Sequence, residues 1–120
     1  CHDMIAQIDP EIASNLQTIA REEVELERLQ REIKNKKEKL ATAKNQIMRL
    51  RDDLSENRTH YVYATRKYTA DQVRDDLTTR FEHFKAQETN VDQLDKIVIA
   101  REQKLAAARN HLDQMLDAKR

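Results

Sequence analysis

The chain has 120 residues, no glycine, one proline, three tyrosines and two phenylalanines as its only aromatics, and 22 basic residues balanced by 22 acidic ones. That composition excludes a turn-rich globule and a glycine-rich phosphate loop, and it matches long solvated helices. Zero net charge with periodic apolar residues argues against disorder, and no purely apolar run is longer than Ile97 to Ala100, which is too short to cross a membrane.

Residues 1–8 read as a leader or as the end of a preceding helix. There is no initiator methionine, and the pattern stops in mid-repeat at Arg120, so we expect a fragment of a longer helical protein. Cys1 is the only cysteine, which rules out an internal disulfide and points to a reducing, cytoplasmic compartment. A first long helix is expected over residues 9–57. Asp9 can accept hydrogen bonds from the free amides of the first turn, and Pro10 at the first helical position needs no donor. Every seventh residue from Ile5 through Ile12, Ile19, Leu26, Ile33, Leu40 and Ile47 to Leu54 is isoleucine or leucine. A strict seven-residue repeat keeps one seam of the helix on a partner helix.

Residues 58–68 form the tip. Tyr61-Val62-Tyr63 and Lys67-Tyr68-Thr69 flank Ala64-Thr65-Arg66 with alternating aromatic and β-branched side chains. The alternation suggests a small β-hairpin, whereas the lack of glycine for positive φ suggests an irregular loop; both remain open. A second helix over 69–118 starts at Thr69-Ala70-Asp71-Gln72, a capping box, with Tyr68 and Val73 placed as a hydrophobic staple. Its seam runs Leu77, Phe84, Val91, Val98, Leu105 and Leu112.

The two seams fit each other when the chain folds back. With Ile12 and Leu77 at position a, antiparallel pairing sets residues whose numbers sum to 127 opposite one another. Leu29 then meets Val98, Ala43 meets Phe84, and Glu22 and Arg101 fall in adjacent layers where they can pair. No layer is polar on both sides. The stretch from Lys34 to Arg51 holds seven cations and one acid, and its neighbour from Asp76 to Val91 is net acidic. The expected fold is all-α, a long antiparallel two-helix coiled-coil hairpin with a loop or small β-hairpin at the tip.

No catalytic, cofactor or metal constellation is visible. His2, His60, His83 and His111 lack the Glu-x-x-His and His-x-x-x-His spacings of helical metal sites and read as surface residues. An enzyme is not expected, nor is a small-molecule substrate, and overall neutrality argues against a nucleic-acid partner. Phe81 and Phe84 are expected in the core. Tyr61, Tyr63 and Tyr68 either close the end of the hairpin or form a tip contact. Leu16, Ala20, Val24, Ile97, Ile99 and Leu116 fall off the seam and mark a contact surface for another helix, in a homo-oligomer or with a partner.

Glu11 to Leu29, Tyr68 to Lys85 and Ala100 to Arg120 resemble bacterial coiled-coil proteins similar to phage shock protein A. The resemblance implies a non-enzymatic hairpin scaffold that forms large oligomers under envelope stress, at the periphery of the inner membrane, with flanks outside this sequence meeting the lipid. A second, architectural likeness is to prefoldin subunits, two helices joined by a β-hairpin. That likeness implies a chaperone or adaptor that binds other proteins through the tip or the helix ends.

Overall fold

A computed structural model describes residues 9–118; the expected leader, with Cys1, His2 and Ile5, lies outside the described residues. The elements are α1 (Pro10–Leu54), β1 (His60–Tyr63), β2 (Arg66–Thr69) and α2 (Ala70–Ala118). Two long helices joined by a two-stranded antiparallel sheet make a helical hairpin.

Helix α1 starts as its sequence dictates. The Glu11 amide donates to Asp9 Oδ1 at 2.8 Å, and the Ala13 amide donates to the Asp9 carbonyl at 2.9 Å. The helix stops at Leu54, three residues short of the expected end at Asn57. There the Ser55 amide is shared between the Arg51 and Asp52 carbonyls, and the Glu56 and Asn57 amides close tight turns on Asp53 and Leu54. Asn57 then takes φ 52°, the left-handed conformation that ends helices and that asparagine tolerates best after glycine.

The tip is a β-hairpin, which decides between the two expectations. Its register pairs His60 with Thr69, Tyr61 with Tyr68, Val62 with Lys67 and Tyr63 with Arg66, leaving Ala64-Thr65 as a two-residue turn. Both turn residues have positive φ, 49° at Ala64 and 68° at Thr65. Such a turn matches the twist of the strands and normally uses Asn-Gly. Ala and Thr adopt it at a cost of about 1–2 kcal/mol each, and the Thr65 hydroxyl bonds to the Ala64 carbonyl at 2.5 Å. Helix α2 follows β2 without a linker. The Thr69 amide donates to Gln72 Oε1 at 2.9 Å and the Gln72 amide to Thr69 Oγ1 at 3.1 Å, a complete capping box.

The chain divides into two compact units, a tip half (Ile33–Gln93) and an open half (Cys1–Glu32 with Leu94–Arg120). In the tip half the buried residues are Ile33, Tyr61, Val73 and Val91; in the open half they are Ile19, Leu29, Val98 and Leu105. Each of the helical ones is a seam residue. Among the described seam positions within the two helices only Arg80 is exposed, and the rest are buried or half-buried. Phe84 is half-buried, but Phe81, expected in the core, is 50% exposed. It sits next to the seam rather than on it, and a two-helix hairpin has no third helix to cover that flank.

Candidate contact surfaces

Polar seam positions in the open half are used rather than merely tolerated. Asn15 donates to the Ala108 carbonyl across the seam at 2.9 Å. Glu22, whose side chain is only 12% exposed, accepts from Arg101 at 3.1 Å and from Lys104 at 2.9 Å. Hydrogen bonding from Lys104 holds the Glu22 carboxyl below the usual carboxylate range, aided by the charges of Lys104 and Arg101 and opposed by desolvation. The two flanks of the open half are distinguishable. Glu23 reaches Arg109 at 2.8 Å across one flank, and Glu11 stands 3.6 Å from His111 across the other. These pairings join like heptad positions, e with e and g with g, as antiparallel helices require.

All six off-seam residues are exposed. Leu16, Val24, Ile97, Ile99 and Leu116 are 41–63% accessible, and Ala20 is exposed as well. They do not form a single patch. By heptad position Leu16, Ala20, Ile99 and Leu116 belong to the flank of the Glu23–Arg109 pair. Val24 points outward, and Ile97 belongs to the opposite flank. The open half is therefore apolar mainly on one side.

The tyrosines divide as well. Tyr61 is 2% exposed and its hydroxyl accepts from the Arg58 amide at 3.1 Å, so it packs inside the tip. Tyr63 and Tyr68 are half-buried, with ring centroids 5.9 Å apart and planes at 45°, and the Arg66 guanidinium lies 5.8 Å from the Tyr68 centroid. The Tyr63 hydroxyl donates to Asp53 Oδ2 at 2.7 Å. Burial, then this bond and the negative charge of Asp53, push Tyr63 up to about 12.

Tyr63 and Tyr68, with Leu50 and Val73, wall an open cavity of about 500 Å³, and Arg49 and Arg80 stand at its edge. Arg80 is committed to Asp76 at 2.7 Å and to Gln46 at 3.0 Å. Sequence reasoning missed this cavity, and also the exposure of Met48 (40%) and Phe81, which by heptad position share the opposite flank of the tip half. Heptad phase was the signal for the last two. Met48 is at position b and Phe81 at position e, both off the seam.

His60, His83 and His111 are exposed. Among the described residues no group of His, Cys, Asp or Glu is placed to hold a metal, and no helix is long and apolar enough to cross a membrane. No protein-family model matches the chain, and no curated protein or solved structure matches it either.

Proposed function

We propose that this chain is a non-enzymatic coiled-coil scaffold that self-associates through the exposed apolar flank of its open half. The observation that carries the proposal is that Leu16, Ile99 and Leu116, 41–56% exposed, share one flank of a helix pair whose own seam is already filled from within. Water contact with that much apolar surface is unfavourable, and another helical surface relieves it. The test is light scattering of the full chain over a wide concentration range. Dimers or larger species are expected, and replacing Ile99 and Leu116 by Asp should shift them toward monomer. A strict monomer at every concentration rejects the proposal. Peripheral membrane attachment is a further part of the proposal, supported by the resemblance to proteins similar to phage shock protein A. Co-sedimentation of the protein with anionic vesicles tests it separately.

The tip cavity favours a second reading, an adaptor or chaperone that grips an apolar side chain in the space walled by Tyr63, Tyr68, Leu50 and Val73. Suppression of client aggregation, lost on Tyr68→Ala while the helical signal is retained, is the outcome that would replace the scaffold reading.

A further inference from the structure

Helix α1 is a block of acid followed by a block of base. From Asp9 to Glu27 it carries six acids and one cation; from Lys34 to Arg51 it carries seven cations and one acid. The opposing stretches of α2 do not neutralise these blocks. Residues 100–118 hold three cations and three acids, and residues 76–93 hold four acids and two cations. By halves, the open half has nine cations against twelve acids and the tip half thirteen against ten. Side-by-side copies aligned in parallel would set acid on acid and base on base. Antiparallel copies would set each block on its opposite.

The outward flank of α1 has the residues for such a contact. At position b stand Ala13, Ala20, Glu27, Lys34, Ala41 and Met48. Glu27 and Lys34 are exposed and make no ion pair among the described residues, Met48 is 40% exposed, and Leu16 on the same flank is 47% exposed. When two α1 helices run antiparallel with facing numbers summing to 61, Glu27 of each meets Lys34 of the other. Ala20 meets Ala41 and Ala13 meets Met48, with Leu16 within a turn of that same Met48. The contact is then isologous, each copy offering the same surface about a two-fold axis near residues 30 and 31.

We propose that a second copy of this chain docks antiparallel on the outward flank of α1, with the acidic block of each copy on the basic block of the other. The proposal rests on the self-association reading and gives it an orientation and a surface. The test is sedimentation equilibrium on the full chain and its charge variants, with circular dichroism confirming that helicity is kept. Glu27→Lys and Lys34→Glu each turn two attractive pairs into two repulsive ones, and each is expected to weaken self-association about tenfold. The double swap E27K/K34E restores the opposite charges in antiparallel pairing and should recover wild-type association, as should a one-to-one mixture of the two single variants. Added salt should weaken the wild type toward the single variants. Failure of the double swap to recover association overturns the proposal. If Ile99→Asp and Leu116→Asp dissolve the assembly while the charge variants leave it intact, this proposal falls and the scaffold reading stands. A wild type that is monomeric throughout rejects both.

Discussion

In the tip half the chain itself holds its two helices together, whereas in the open half side chains must do it. The tip half closes with a paired hairpin, a buried Tyr61 and a complete capping box leading straight into α2. The open half, farther along the chain from that turn, is tied by Glu22 to Arg101 and Lys104, by Glu23 to Arg109 and by Asn15 to a backbone carbonyl. Its seam buries Ile19, Leu29, Val98 and Leu105, yet five apolar side chains of the same kinds remain outside. The tip half leaves Met48, Val62 and Phe81 exposed. Both halves follow one heptad frame, so the contrast lies in what flanks the seam. Where the chain turns, tyrosines fold inward; where it does not, surplus apolar surface stays exposed.

The largest effect should come from Tyr61→Ala. Tyr61 is the most buried large side chain of the tip half and its hydroxyl serves the Arg58 amide in the connection between α1 and β1. Removing it leaves a cavity and an unsatisfied amide, at a cost of about 3 kcal/mol. Urea denaturation followed by circular dichroism reads this directly. Hydrogen exchange should show the loss concentrated in the tip half, with open-half amides changed less. Equal loosening of both halves would erase the distinction drawn between them.

How much of this was legible beforehand depends on the range of the interaction. The seam positions and the Thr69 capping box are written in local spacing, and the structure places both where the spacing put them. The antiparallel fold followed from matching two seams, and the Glu22–Arg101 pair from adjacent layers in that match. Phe81 was misplaced because a helical pattern cannot state how many partners will cover its flanks. The end of α1 was overrun by three residues because asparagine, unlike glycine, does not announce a left-handed cap. The hairpin remained open for the same reason, since neither Ala64 nor Thr65 favours positive φ. Of the contact residues, Tyr61 was separable from Tyr63 and Tyr68 only once the pairing with Tyr68 and the bond to Arg58 were known.

That turn supplies the next prediction, a stabilising one. Ala64→Asn with Thr65→Gly replaces two residues held at unfavourable φ by the pair that prefers this turn. Relief of the local cost, offset by the greater freedom of glycine in the unfolded chain, should leave a gain of about 1 kcal/mol. A higher urea midpoint with an unchanged slope is the expected result. Because the turn belongs to the tip half, the variant should stabilise that half and leave self-association untouched. A lower midpoint would mean that Ala64 and Thr65 do not sit in this turn in solution.

The smallest effect probes the open half through pH. Glu22 meets two cations across the seam, and hydrogen bonding from Lys104 is the first cause of its lowered pKa. A carboxyl whose pKa is lower folded than unfolded adds stability above its unfolded value, near 4.5. That contribution declines as pH falls through the folded value, once the unfolded chain binds the proton more tightly. Arg101 and Lys104 are partly solvated, with side chains 36% and 63% exposed, so the effect is a modest one that salt reduces. Glu22→Gln should therefore lower Tm at neutral pH and lose less on acidification than the wild type does. In the tip half the sign reverses. Burial first, then its bond to Asp53, raises Tyr63 from 10.0 to about 12, so its contribution persists at neutral and acid pH and is lost as pH rises from 10 toward 12. Thermal melts of Glu22→Gln and Tyr63→Phe at acid, neutral and alkaline pH separate the halves: the first should flatten the acid limb and the second the alkaline limb. A Glu22→Gln variant with the full acid sensitivity of the wild type would show that the Glu22 pairs do not help to hold the open half.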